Sequence, residues 1–99
     1  MFSHVMLGAN DVEKSKSFYD AILGAIGYEP GVTDDNGRVF WMNKTGIFSI
    51  SKPIDGEPAC HGNGSTLGFS VESIEAGNAW HAAGLENGGT DCEDAPGLR

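Results

Sequence analysis

Basic residues, cysteines and long apolar runs are all scarce in this 99-residue chain. Six Lys and Arg residues stand against fourteen Asp and Glu, giving a formal net charge of −8. This charge argues against nucleic acid binding, because phosphate contacts need clustered cations. Two cysteines do not indicate a disulfide framework, so a reduced cytoplasmic location is expected. No stretch has the apolar length to cross a bilayer, and the N-terminus lacks the pattern of a secretory signal.

One sequence pattern occurs twice along the chain. A shift of 62 residues aligns residues 4–7 with residues 66–69, and residues 18–19 with residues 80–81, without a gap. In each copy a short apolar run meets a polar breaker and then a helical pattern. Chance resemblance is the alternative, since few positions are identical. If the repeat is real, it predicts a single domain of two modules, residues 1–62 and a partial second module over 63–99 (strand, helix and short tail).

The first module is predicted to contain a strand over residues 2–9 and a helix over 11–23. Asn10, with Glu13 three residues later, is typical of a helix start, and Gly24 is typical of a helix end. A short strand around Tyr28 is an option. Residues 34–37 carry a turn signal that ends in Asn-Gly. Strands over 38–43 and 47–52 are then predicted to pair across residues 44–46.

The second module is predicted to open with a strand over residues 66–71, after a polar loop over 53–65. Ser73 is expected to cap a helix over 74–83, which Gly84 ends. Residues 85–99 leave room for one short strand and a loop. The first module has three strand candidates after its helix, so the second lacks a hairpin, which leaves sheet edges and core uncovered.

The opening of the chain resembles the vicinal oxygen chelate superfamily, which contains glyoxalase I, bleomycin-resistance proteins and extradiol ring-cleaving dioxygenases. The motif is His-Val-x-Leu-x-x-x-Asp-x-x-x-Ser-x-x-Phe-Tyr-x-x-x-Leu-Gly, carried by His4, Val5, Leu7, Asp11, Ser15, Phe18, Tyr19, Leu23 and Gly24. The resemblance implies an α+β fold, in which paired βαβββ modules form a curved mixed sheet. Measured against that fold, the second module is C-terminally truncated.

Metal-using members of this superfamily hold a divalent ion between the two modules. The resemblance carries the first ligand onto His4, the second onto Ser49 or Ser51, and the third onto Thr66, while the fourth would lie beyond Arg99. A transition metal needs about three or four N, O or S ligands. Ser and Thr hydroxyls are poor substitutes, so His4 is the one good ligand. The alternative role for His4 is to hydrogen-bond or pack in the cavity.

The aromatic cluster formed by residues 40–42, with Phe48 opposite, has two interpretations. It packs the sheet against the helices, or alternate residues (Phe40 and Met42, or Trp41) line the concave face and bind an apolar or aromatic ligand. The two can hold together, because a sheet has two faces. The predicted ligand-binding residues are His4, Phe40, Met42, Ser49, Ser51 and Thr66. His61 and His81 are expected to be a solvated loop residue and a surface or partly packed helix residue.

Two functions remain open at this point, and the catalytic residues stay unassigned. The first is a metal-free protein that binds a small molecule in the cup of the sheet, for which the acidic surface would suit a cationic ligand. The alternative is a lactoylglutathione lyase-like or extradiol dioxygenase-like enzyme using Ni, Zn, Fe or Mn, although the carboxylate that would move the proton is lacking. A fragment completed elsewhere is a third possibility. A homodimer is expected, with exchange of modules between chains as one arrangement.

Overall fold

The computed structural model describes residues 1–91. Four strands form one mixed sheet, and two helices pack against one of its faces. The elements are β1 (His4–Gly8), α1 (Val12–Gly24), β2 (Val32–Thr33), β3 (Val39–Asn43), β4 (Gly46–Ser51) and α2 (Ile74–Glu86). Of the tail expected to hold a short strand, residues 87–91 form none, and residues 92–99 lie outside the described residues.

The sheet has the strand order β1-β4-β3-β2. β1 pairs with β4 in parallel, while β3 is antiparallel to both β4 and β2. A parallel pair needs a crossover connection, and α1 lies within the segment that carries the chain from one strand to the other. The predicted α+β class with a mixed sheet is confirmed, and the β3–β4 hairpin turns where the sequence placed it.

The residue that caps α2 was predicted correctly from the sequence, and the residue that caps α1 was not. Asp11, not the predicted Asn10, caps α1, and its carboxylate accepts the N–H of Lys14 at 3.1 Å. The Asn10 side chain instead accepts the N–H of Ala59 at 2.7 Å, so it holds the distant loop. Ser73 caps α2 as predicted, accepting the N–H of Ala76 at 3.0 Å.

The helix end predicted at Gly24 agrees with the structure to within one residue, whereas the end predicted at Gly84 is wrong. α1 includes Gly24, and α2 continues past Gly84 to Glu86. The left-handed backbone that glycine tolerates occurs later, at Gly27 (φ 100°) and Gly88 (φ 104°). The optional strand around Tyr28 is also not formed.

The strand predicted over residues 66–71 is wrong as well, because this segment makes no strand pairing. In the first module, β1 is held by β4 along its whole length. No second-module counterpart of β4 lies within residues 1–91, so the backbone of 66–71 has no ladder to join. Phe69 nevertheless packs against Phe48, with ring centroids 5.2 Å apart.

The core lies between the helices and one face of the sheet. Its buried apolar members are Ala9, Ile22, Leu23, Val39, Trp41, Phe48 and Ile50. Tyr19 on α1 contacts Trp41 and Phe48, with ring centroids 5.7 and 4.8 Å away. Aromatic contacts of this kind each add about 0.5–1.5 kcal/mol beyond their buried area. α2 joins the same core through Trp80 and Ala83.

Asp20 ties α1 to the sheet through hydrogen bonds that the sequence analysis did not anticipate. Its Oδ1 accepts the Trp41 indole N–H at 2.9 Å and the Gly31 backbone N–H at 2.8 Å. Its Oδ2 lies 2.7 Å from Lys16 Nζ. Gly31 approaches the indole so closely that an added Cβ would lie 2.6 Å from Trp41 Cε2. The carboxylate therefore anchors both the largest core side chain and the loop that lies against it.

These contacts decide the protonation of Asp20. Burial by itself would raise the pKa of its carboxyl, but the hydrogen bonds from Lys16, Gly31 and Trp41, with the charge of Lys16, lower that pKa below its ordinary value. A lowered pKa in the folded state means that the ionised group stabilises the fold. This stabilisation is present above the pKa of the unfolded chain and is lost as the pH falls through the folded-state pKa.

We predict that Asp20→Asn lowers the free energy of unfolding by about 1–3 kcal/mol at pH 7, because buried donors lose a charged acceptor. The difference from the wild type should shrink as the pH falls below about 4, where the unfolded chain begins to protonate, and should vanish once the pH has fallen through the lowered folded-state pKa of Asp20. Urea unfolding at a series of pH values measures both effects. Asp35→Asn is the matched control, since Asp35 is exposed. An equal loss in the control, or a difference independent of pH, would contradict the prediction.

Candidate functional site

One face of the sheet is left uncovered by the helices within residues 1–91. Side chains alternate between the two faces of a strand, and directly paired residues share a face. The helix-covered face therefore carries Trp41 and Phe48, and the opposite face carries their sequence neighbours. We call that opposite face the open face. Its members are His4, Met6, Gly8, Val32, Phe40, Met42, Ile47, Ser49 and Ser51.

The open face is mainly apolar, and several of its side chains are accessible to solvent. Strand pairing sets Ile47 between His4 and Met42, so these three form one row across the sheet. A second row contains Met6, Ser49, Phe40 and Val32. Met6 is 42% exposed, while Met42 and Val32 are each 58% exposed. Exposed apolar side chains gathered on one surface are typical of a binding site.

His4 begins the first row and is exposed to solvent. Its Nδ1 lies 2.8 Å from Ser3 Oγ, a contact between neighbouring residues that fixes the ring only locally. Within residues 1–91 its Nε2 makes no hydrogen bond. The imidazole can therefore offer one ring nitrogen to a molecule lying on the open face.

The two predicted serines are used differently. Ser49 is completely buried in the middle of the second row, and its hydroxyl donates to the Val5 carbonyl at 2.9 Å. Ser51 is partly exposed near the end of β4 and donates to the Lys52 carbonyl at 2.9 Å. Both hydroxyl protons are thus committed to the backbone. Ser51 remains within reach of solvent as an acceptor, whereas Ser49 contributes mainly to the structure of the sheet.

The structure separates the two interpretations of the aromatic cluster by face. Phe40 and Met42 lie on the open face, whereas Trp41, the alternative to them, is 1% exposed and belongs to the core. Trp41 therefore packs in the core, while Phe40 and Met42 are on the face that the helices leave uncovered. Thr66 is exposed, but it lies in the segment without strand pairing and is not part of the open face.

Met6 and Ile47 are members of the open face that the sequence analysis did not single out. A usable signal was present, because Met6 lies two residues after His4 and Ile47 lies two before Ser49. In a strand, residues two apart share a face. Applying that alternation to β1 and β4 would have added both residues.

A loop closes one end of the open face. A Cβ added to Gly8 would lie 3.1 Å from the Ala59 Cβ and 3.5 Å from the Pro53 Cγ, so the loop passes directly over this glycine. The hydrogen bond from the Ala59 N–H to Asn10 holds the loop in that position. The absence of a side chain at Gly8 is what allows the close approach.

The described residues do not fit a divalent transition metal. His4 shares its row with the apolar Ile47 and with Met42. Within residues 1–91, no three side chains of His, Cys, Asp or Glu come together as a ligand group. His61 lies exposed in the loop region, and the Nε2 of His81 on α2 is 2.8 Å from the carboxylate of Asp91.

Comparison with solved structures finds a close relative, the crystal structure of a glyoxalase/bleomycin resistance protein from Albidiferax ferrireducens T118. The two chains are 57% identical, and their structures superpose with a TM-score of 0.95. The match covers 100% of the present chain and 79% of the relative's. The chain belongs to the glyoxalase/bleomycin resistance protein family. The predicted membership of the vicinal oxygen chelate superfamily is thereby confirmed.

Membership of the glyoxalase/bleomycin resistance family accounts for the arrangement of elements. β1, α1, β2, β3 and β4 follow one another in the βαβββ order of one family module. No family model matches the chain, and no curated protein matches it. Among residues 1–91, neither helix has the length and apolar character that a membrane span requires.

Proposed function

We propose that this glyoxalase/bleomycin resistance family member binds a small apolar or aromatic molecule on its open face. The observation that carries the proposal is the exposed apolar surface of Met6, Met42 and Val32, which the helices leave uncovered. Phe40 adds an aromatic ring to the same surface, and His4 adds a polar group at its edge. Mainly apolar walls with few polar anchors are the usual composition of small-molecule sites.

Binding without a full metal site is part of the proposal. The chemistry of the side chains supports it, because the described open face supplies one imidazole and no carboxylate. A metal-dependent lyase, isomerase or dioxygenase would need two or three further N or O ligands. That enzyme remains the alternative, with Ni, Zn, Fe or Mn as its ion. The net charge of −8 favours a neutral or cationic ligand.

We also propose that the protein is a homodimer, with exchange of modules as one arrangement. β1 lies at the edge of the sheet, and its outer side has no partner strand within residues 1–91. Edge strands with free backbone groups are surfaces on which a second chain pairs. The cysteine content continues to favour a reduced compartment such as the cytoplasm.

The dimer predicts a mass of twice the 10.4 kDa chain. Size-exclusion chromatography with light scattering measures that mass directly. Met6→Lys, which places a charge on the edge strand β1, should shift the population toward monomer, because a lysine on an edge strand disfavours pairing with a second chain. A monomer at all concentrations would contradict the proposal.

Nile red, an uncharged aromatic dye, tests ligand binding on the open face. We predict a saturable rise in its fluorescence, and an affinity roughly ten-fold weaker in Met6→Gln, because the dye loses apolar contact. Leu85→Gln is the matched control, since Leu85 is 44% exposed, like Met6 at 42%, but lies on α2. An equal loss of Nile red affinity in Met6→Gln and Leu85→Gln would show that the dye adheres to the surface generally, and would contradict a binding site on the open face.

His4→Ala separates ligand binding from metal binding. We predict that it weakens Nile red binding by a few-fold, through the lost ring contact, and leaves metal content per chain nearly unchanged. Elemental analysis by mass spectrometry gives the metal content. One equivalent of Ni, Zn, Fe or Mn in the wild type, lost in His4→Ala, would instead favour the metal-dependent enzyme.

A further inference from the structure

A separate groove lies at the end of the sheet, where three parts of the chain meet. The first turn of α1 contributes Val12 and Glu13, the β2–β3 turn contributes Asn36 and Arg38, and the end of β4 leads into Lys52. The groove has a volume of about 540 Å³, within the roughly 300–1,000 Å³ usual for small-molecule sites. Ser51 is the one residue that belongs both to the described lining of this groove and to the open face.

Positive charge gathers at this groove in an otherwise acidic protein. Arg38 and Lys52 are two of only six Lys and Arg residues, and neither has a carboxylate within ion-pair distance among residues 1–91. The N-terminus of α1 forms one wall, but the Asp11 carboxylate already caps it and offsets the positive end of its dipole. Glu13 is the one opposing charge in the lining. The positive charge at the groove therefore comes from two side chains, Arg38 and Lys52, with Glu13 as the carboxylate in the same lining.

The β2–β3 turn holds Arg38 in a fixed position. The carboxylate of Asp34 accepts the backbone N–H groups of Asn36 and Arg38, each at 2.9 Å. The Asp34 N–H donates in turn to the Arg38 carbonyl at 2.8 Å, and Gly37 supplies the left-handed backbone with φ 80°. The Arg38 side chain therefore extends from a backbone that is held in one conformation, which reduces the conformational entropy that the turn loses when a ligand binds.

We propose that this groove binds the carboxylate group of a small organic anion. The guanidinium of Arg38 can take a carboxylate through two parallel hydrogen bonds, and Lys52 adds a second charge. The apolar side chain of Val12 and the size of the groove favour an organic molecule over a bare inorganic ion. Glu13 disfavours the second negative charge of a phosphate more than the single charge of a carboxylate. The inference does not depend on ligand binding to the open face.

Titration with butyrate, a monocarboxylate, followed by amide NMR at constant ionic strength, tests the proposal. Saturable shifts are expected at Gly37, Arg38 and Lys52, with binding roughly ten-fold weaker in Arg38→Gln and in Lys52→Gln. Glu13→Gln should tighten binding by about three-fold, because it removes the repelling charge. Lys44→Gln is the matched control, since Lys44 lies in the β3–β4 turn at the other end of the strands.

Inorganic phosphate, titrated in parallel, distinguishes the carboxylate from other anions. Tighter binding of phosphate than of butyrate would overturn the carboxylate assignment. Shifts that do not saturate, or equal weakening in Lys44→Gln, would overturn the site itself. Thermal unfolding of each variant verifies folding, and Lys52→Gln, on an exposed side chain, keeps the test valid if Arg38→Gln is unstable. Nile red binding should be unchanged in Arg38→Gln and Lys52→Gln. The groove proposal and the open-face proposal can therefore be contradicted independently of each other.

Discussion

The parallel pairing of β1 with β4 is the constraint on which the rest of the structure depends. It requires the chain to cross over between the two strands, and α1 in that connection covers one face of the sheet. The pairing also fixes which side chains share each face. A slip of one residue would exchange Phe48 and Ile50 with Ile47 and Ser49, and would expose the aromatic core. The register of the β1–β4 pairing therefore determines both which side chains form the open face and which form the buried core.

The internal repeat predicted the helices better than the strands. α1 covers Val12–Gly24 and α2 covers Ile74–Glu86, so every boundary, and each N-cap before it, recurs after 62 residues. A helix satisfies its backbone locally, and its pattern can be read from neighbouring residues. A strand needs a partner elsewhere in the chain. Residues 66–71 have the pattern of a strand but lack that partner within residues 1–91, so the pattern alone misled the prediction.

The candidate site was predictable to the extent that it follows strand alternation. Five of the six residues proposed for ligand binding share one face of the sheet, as strand alternation requires: His4, Phe40, Met42, Ser49 and Ser51. Thr66 lies outside the sheet. The contacts of Asp20 were not predictable, because Gly31 and Trp41 lie 11 and 21 residues away along the chain. Nor does spacing reveal that Ser49 is buried or that Arg38 and Lys52 face the same groove, since both facts depend on three-dimensional packing.

The two exposed thioethers of the open face give it a chemical vulnerability. Met6 and Met42 lie in adjacent rows, each accessible to solvent and therefore to peroxide. Oxidation turns a flexible apolar side chain into a polar, chiral sulfoxide, and methionine sulfoxide reductases reverse the change. Sulfoxides at these two positions would make the centre of the face hydrophilic while leaving the buried aromatic cluster intact. The oxidised protein would remain folded but would no longer present the same surface.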